Sequence, residues 1–285
     1  MTWHCGTLLP IAAGWKITCG IAKRWPQRQG RRTPMADRQH LMTDGLIVRD
    51  YRTVAETDRF VAILTRDKGI IRASARGARN LKSRSGSATQ LLCYASFSLI
   101  PGKDKYIVED AKPLELFFAL REDVERLAIA QYFCELALQL CPADSPAPDH
   151  LRLFLNGLHY LCDGKRDPRL IKGVVEGRLL CLEGYMPALD GCSRCGCGET
   201  ERFWFSPREG TLTCDNCSRE TDALPVTAGA LAALRHVMKG EFSRCFAFTL
   251  PESDAAAFSA LTERFLLAQI QRTFKTLEFY HTLHT

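Results

Sequence analysis

The apolar positions change period along the chain, and the change divides it. From Asp44 to Glu109 the runs are short and end in turn signals. Asp44–Tyr51 alternates, Phe60–Thr65 is a compact apolar run closed by Asp67-Lys68-Gly69, and Ile70–Ala75 is a third run. Gln90–Ile100 is a longer one stopped by Pro101-Gly102, and Lys105–Glu109 is a fifth. Runs of this length between turn residues predict strands. Five of them in about 70 residues predict a small closed barrel, with the five-stranded OB-fold as the architecture that fits. After residue 114 the period becomes helical. Helices are expected at Asp123–Leu140 with Asp123 as cap, and at Leu151–Cys162 with Asp149 as cap. Three more are expected at Pro168–Leu182 ending at Gly184, at Thr227–Met238 ending at Gly240, and at Ser253–Thr273. Short loops between them indicate a bundle. The fold class is therefore α+β. The expected organisation is a leader (1–41), an OB-fold domain (42–113), a helical domain in two parts (114–189 and 223–285) and a cysteine-rich insert (190–222). The cysteines inside the helices (Cys134, Cys162, Cys181) read as small buried apolar residues.

Charge sharpens this division. The formal net charge is +6, but residues 1–34 hold six basic residues and no acid, so the remainder is neutral. The leader is expected to be disordered or not translated, with a start codon set upstream of Met35 or Met42; an Arg-rich, acid-poor transit peptide and a real basic tail are the other readings. Within the remainder the front is basic and the back acidic. The peak is residues 66–84, where Arg66, Lys68, Arg72, Arg76, Arg79, Lys82 and Arg84 face Asp67 alone. That stretch, rich in Gly and Ser, reads as a flexible loop between the third and fourth strands. Such a loop either keeps a barrel solvated or binds phosphates without reading sequence. Tyr51, Tyr94, Phe97 and Tyr106 are candidates for stacking bases, or for the core.

Thirteen cysteines are many, and four stand in two tight pairs, Cys192-Ser-Arg-Cys195 and Cys214-Asp-Asn-Cys217. This C-x2-C-x18-C-x2-C pattern predicts a closed tetrahedral site for one structural Zn2+, with no position open for substrate. Arg202–Phe205 and Gly210–Thr213 are expected to pair as the hairpin of a zinc ribbon. Cys197 is a further thiol beside Cys195. No G-x4-G-K-[ST], G-x-S-x-G or H-E-x-x-H is present, and none of the seven His opens H-x-E. No uncharged apolar run is long enough to span a membrane. The residues argue for binding and not for an enzyme.

The order of these features carries a resemblance. Asp44–Tyr51 (DGLIVRDY), Glu56-Thr57-Asp58-Arg59, Phe60–Arg66 and Lys68-Gly69 are followed by Ala75-Arg76-Gly77-Ala78-Arg79 and Lys82-Ser83-Arg84. Then come Pro101-Gly102-Lys103, Ala119–Leu127 (ALREDVERL) and Gly184-Tyr185-Met186-Pro187 before the four cysteines. Over about residues 43–280 the chain resembles the bacterial RecO family of recombination mediators in DNA repair. The resemblance implies an OB-fold, a helical domain and a zinc ribbon. It implies binding of single- and double-stranded DNA, strand annealing, engagement of the single-strand binding protein SSB, and work with RecR, in some pathways RecF, to load RecA. It places the protein in the bacterial cytoplasm at the nucleoid. Carried over, the basic positions from Arg72 to Arg84 would hold DNA and the four cysteines zinc; the leader and Cys197 depart from the pattern. The rival reading is a zinc-ribbon RNA-binding or ribosome-associated protein using the same barrel.

Overall fold

Strand β1 (Leu41–Tyr51) pairs on both sides, with β2 (Arg59–Thr65) and with β4 (Tyr94–Pro101). A computed structural model describes residues 40–51, 57–80, 83, 85–217 and 220–284; the expected leader lies almost wholly outside them. β3 (Gly69–Ala75) adds antiparallel to β2, and β5 (Tyr106–Glu115) closes the ring, antiparallel to β4 and parallel to β3 at Ala73–Tyr106 and Ser74–Ile107. The order β1-β2-β3-β5-β4 is a closed five-stranded barrel, as the strand pattern predicts. Its interior is Ile47, Val61, Ile63, Ile71, Ala73, Phe97 and Leu99 with smaller neighbours. A register shift between Ile47 and Arg49 lets β1 bend around this interior.

Two strand expectations need correction. Gln90–Cys93 is a turn and not strand: Leu92 has φ +65 and the Cys93 N–H donates to the Gln90 carbonyl at 3.1 Å. Leu92 and Cys93 are buried without being extended. β5 runs past Glu109 to Glu115, because exposed Asp110 and Lys112 flank buried Ala111 and so disguise a half-buried strand.

The helices are α1 (Val124–Leu140), α2 (Pro148–Asp163), α3 (Pro168–Leu182), α4 (Ala228–Lys239), α5 (Glu252–Ile270) and α6 (Lys275–Thr282). Asp123 caps α1, accepting from the Glu125 and Arg126 N–H groups at 3.0 and 3.1 Å. Asp149 does not cap α2: the cap position lies two residues earlier, at Ala147, with Pro148 in the first turn, where a missing N–H costs nothing. α5 stops at Ile270 because Gln271 turns left-handed at φ +53, and the short α6 that follows has too few apolar positions to stand out in the sequence. Cys134 is buried, Cys162 and Cys181 only half so, and burial raises all three thiols, Cys134 to about 12 and Cys181 to about 11.

Barrel and bundle share a core. Leu46, Val48, Ala62 and Leu64, on the outer face of β1 and β2, belong to the same cluster as the α1 and α3 interior. The β2–β3 turn is tied to the α1–α2 connection, Ile70 N–H to Pro142 O at 2.8 Å and Ala147 N–H to Arg66 O at 2.9 Å. Gly69 sits there at φ +58, and a Cβ would run into the Pro142 carbonyl.

At the centre of the bundle α3 is buried all round, including charged Lys172 and Glu176. The Lys172 ammonium meets Glu176 at 2.8 Å and Glu263 at 2.7 Å. The Tyr132 and Thr262 hydroxyls donate to the two Glu176 oxygens at 2.9 and 2.8 Å. Burial opposes the Lys172 charge, but the two carboxylates outweigh it and hold the ammonium above its ordinary value. Burial lifts Glu176 too, with Glu263 adding repulsion, while Lys172 and Thr262 work against that rise. Lys172→Met strands two carboxylates in the core and should cost about 3–5 kcal/mol, read as a lower denaturation midpoint; an unchanged midpoint would contradict this account of the network.

Candidate nucleic-acid interface and metal centre

The basic residues of 66–84 do not form one loop. Arg66 and Lys68 lie in the β2–β3 turn, Arg72 on β3, and Arg76 and Arg79 beyond its far end. A strand of this length separates the two ends by about 20 Å at 3.3 Å per residue. Lys82 and Arg84 lie outside the described residues. Arg66 is exposed beside Asp67 at 3.4 Å. Arg72 and Arg76 are exposed, and Arg79 stands 3.9 Å from Asp50, which also holds Arg59 at 3.3 Å.

The expectation of a flexible loop is corrected in the described part of 76–90. Ala78 and Ala88 are buried in the barrel cluster, so the segment plugs one end of the barrel. Gly77 N–H donates to Asp58 Oδ1 at 2.9 Å, Arg79 N–H to Thr57 O at 3.0 Å, and Thr89 Oγ1 to Ser85 O at 2.8 Å. Small residues here serve packing and tight turns.

Sheet register assembles a surface that sequence order hides. Ala62 pairs with Arg49 on one side and Arg72 on the other, and Phe60 pairs with Tyr51 and Ser74. Directly opposed residues share a face. At the border of the bundle contact the β1-β2-β3 face therefore carries one row with two exposed guanidinium side chains on either side of buried Ala62 and, next to it, a row of half-buried Tyr51 and Phe60. The Arg49 guanidinium lies 5.3 Å from the Tyr51 ring centre, and the Lys105 ammonium, from the β4–β5 turn, 3.7 Å from that of Phe60. Sequence reasoning missed Arg49, Phe60 and Lys105. The only local signal was the spacing Arg49-x-Tyr51 on an alternating strand. Of the aromatics proposed for stacking, Tyr51 reaches this surface, half-buried and packed on one side against the bundle core. Phe97 is fully buried inside the barrel, Tyr106 packs half-buried against that interior, and Tyr94 packs against the bundle core. Burial and then Asp44 raise the Tyr94 phenol.

The cysteine region is a four-stranded sheet in the order β6-β8-β7-β9, from β6 (Ala188–Cys192), β7 (Phe203–Ser206), β8 (Thr211–Cys214) and β9 (Leu224–Val226). β7 and β8 form the expected hairpin, with Phe203 opposite Cys214. Cys192 ends β6, Cys214 ends β8, and each partner cysteine follows in a turn. Gly196, at φ +74, completes the first turn, in which the Arg194 N–H points at Cys192 Sγ at 3.4 Å. The four Sγ atoms of Cys192, Cys195, Cys214 and Cys217 all lie within 4.8 Å of one another. Cys195 and Cys214 are 3.7 Å apart, and metal–sulfur bonds of about 2.3 Å in a tetrahedron put sulfurs about 3.8 Å apart. The donor set therefore fits a metal. As bare thiols the group is divided: against the effect of burial, N–H groups of Cys195, Cys214 and Arg194 hold Cys192 down to about 6, while neighbouring sulfurs push Cys217 up to about 12. A dication would remove the repulsion that opposes four thiolates. Cys197 lies outside this set of four; its carbonyl accepts from the Cys192 N–H at 2.9 Å and braces the turn. Phe205 stacks edge-on against Phe265 of α5 at 5.5 Å, which docks the sheet on the bundle.

Residues 40–117 match the family model described as Recombination protein O N terminal, and residues 121–278 that described as Recombination protein O C terminal. The chain belongs to the RecO family. Its similarity to a DNA repair protein RecO of Acetivibrio thermocellus is 34% identity over 245 residues, 86% of this chain and 97% of that protein. To one of Symbiobacterium thermophilum it is 32% over 246 residues, 85% and 97%. To one of Desulforudis audaxviator it is 30% over 238 residues, 83% and 94%. In this RecO-family chain the N-terminal match ends at Phe117, whose φ of +48 turns the chain from β5 into the 3-10 turn Phe118–Glu122 ahead of α1. No helix among the described residues is long and apolar enough to cross a membrane.

Elemental analysis of the purified chain should give about one zinc per chain. Cys214→Ser should remove it and lower the melting temperature; zinc-free protein that melts as the loaded protein does would deny the site a structural role.

Proposed function

We propose that this RecO-family DNA repair protein is a recombination mediator that acts by binding. It holds single- and double-stranded DNA through phosphate contacts and base stacking, and it anneals complementary strands. It acts on SSB-coated DNA with RecR, and in some pathways RecF, so that RecA can load. The carrying observation is the paired rows on the free barrel face, Arg49 and Arg72 beside Tyr51 and Phe60, with Lys105 over Phe60. Guanidinium groups neutralise phosphates whatever the sequence, and every base has a face to stack. An annealing protein has to accept any strand, so contacts of this kind suit it.

Arg76 and Arg79 extend the same basic surface in this reading, and Lys82 and Arg84, outside the described residues, are kept as DNA contacts on the resemblance alone. Arg66 and Lys68, at the bundle end of β3, would meet duplex or partner regions of a longer substrate. Zinc is assigned as a structural ion on Cys192, Cys195, Cys214 and Cys217, holding a sheet too small to fold on its own core. The reading assigns the chain no catalytic residue, and its place is the bacterial cytoplasm at the nucleoid.

Arg72→Ala with Arg76→Ala should weaken single-stranded DNA binding equally across sequences, and lower the slope of log affinity against log salt by about 1.4, at 0.7 per lost phosphate contact. Phe60→Ala should cost about 1–3 kcal/mol of binding with little change in that slope. A salt slope that stays unchanged in the double variant would remove the barrel face from the DNA path. Annealing of SSB-coated complementary strands, with and without the SSB tail, tests the mediator role itself. Tighter binding to structured RNA than to DNA at fixed salt would favour a ribosome-associated role instead.

A further inference from the structure

The bundle carries a second basic and aromatic cluster, apart from the barrel rows. Arg152 of α2 and Arg178 of α3 each place the guanidinium carbon 5.2 Å from the centre of one ring, that of Phe242. Phe242 opens the 3-10 turn Phe242–Arg244 that follows α4, and Arg244, exposed, closes it. One helical face away, the Arg166 guanidinium lies 4.6 Å from the Tyr160 ring centre, and Tyr160 stacks on Phe246 at 4.9 Å.

Arg166 and Arg178 have structural work. Arg166 donates to the Phe246 and Phe248 carbonyls, and Arg178 Nη1 donates to the Val237 and Gly240 carbonyls at the end of α4, at 3.2 and 3.1 Å. That work leaves the Nε of Arg178 buried with no acceptor. Arg152 and Arg244 make no ion pair with any carboxylate among the described residues. The nearby acids are engaged elsewhere, Glu183 with His150 at 2.8 Å and Glu241 with the Ser243 hydroxyl at 3.4 Å. Two guanidinium groups on one half-buried ring, with exposed Arg244 in the same turn and no carboxylate pairing Arg152 or Arg244 among the described residues, make a basic surface suited to an anion.

We infer that this surface is a second seat for a nucleic-acid strand, so that one chain holds two strands at once. Guanidinium groups bind phosphate oxygens in bidentate fashion. The half-buried rings of Phe242 and Tyr160 next to them suit the base faces of a strand, which carboxylates on a peptide would not use. The inference rests on the reading that the barrel face binds DNA, since it supplies the partner strand.

The test uses the full chain with two labelled, non-complementary single strands added in turn. Arg152→Glu with Arg244→Glu should leave first-strand affinity close to wild type and weaken capture of the second strand by about tenfold or more, with an unchanged melting curve. Arg152→Lys with Arg244→Lys keeps the charge and should retain most of the capture. The barrel variant Arg72→Ala with Arg76→Ala should show the reverse order of effects. Second-strand capture that is equal in the Glu variant and wild type overturns the inference and leaves the barrel reading standing. A Glu variant that binds both strands normally but loses affinity for a polyglutamate peptide also overturns it, and gives the surface to an acidic protein segment. If the barrel variant binds the first strand normally while the Glu variant does not, the barrel reading fails and the bundle surface remains a strand site.

Discussion

β2 is buried on both of its faces, and the rest of the molecule is arranged around that fact. Val61 and Ile63 point into the barrel, while Ala62 and Leu64 point out of it into the bundle core with Leu46 and Val48 of β1. A small barrel has little interior of its own, and here it contains Ala73, Ala75, Ala95 and Ala111 where larger side chains would bury more area. Giving its outer face to the bundle supplies the missing burial. The same docking decides which surface remains for a ligand. One side of the β1-β2-β3 face is consumed by Leu46, Val48 and Leu64, so the exposed remainder is the strip where Arg49, Tyr51, Phe60 and Arg72 stand. Position and availability of the candidate interface both follow from a packing requirement.

The bundle solves its own problem at α3. A helix surrounded on all sides has no solvent face for charge, yet Lys172 and Glu176 lie one turn apart on it. They remain because Glu263, Tyr132, Thr262 and Ser259 complete the set from α5 and α1, with Lys172 reaching Ser259 Oγ at 3.4 Å. Such a network adds little net stability compared with an apolar core. Its effect is on alignment: α1, α3 and α5 fit together in one register only, because any slip leaves a buried charge alone. The ribbon then packs Phe205 against α5 and is positioned by a helix whose register is already fixed.

Much of this was legible in the chain. Periodicity located all five barrel strands and five of the six helices, and the cysteine spacing located the ribbon and its hairpin. These signals are local, carried by residues close in sequence, and so survive reading in one dimension. The failures share a cause. Gln90–Cys93 was apolar enough for a strand, but burial does not require extension, and Leu92 turns left-handed. The run 66–84 looked like one charged loop, because sequence proximity was taken for spatial proximity across a strand that carries its ends apart. Arg49 and Arg72 went unpaired for the converse reason. They are far apart in sequence and brought into one row by register, which is set by the barrel interior and not by either arginine.

Total charge says least about how such a protein would meet DNA. The net charge of +6 is carried by residues 1–34, and the remainder is neutral. What matters at an ionic strength with a screening length of about 8 Å is the charge within one such distance of the strand. On the barrel face that is Arg49, Arg72 and Lys105. Asp50, the nearest acid on β1, is already engaged with Arg59 and Arg79. A neutral body with local basic strips suits the strand annealing proposed above, because each phosphate contact is lost and regained singly. In the proposed reading, binding loose enough to release and broad enough to accept any sequence would come from a few guanidinium groups backed by aromatic rings, on a face whose position the core has already set.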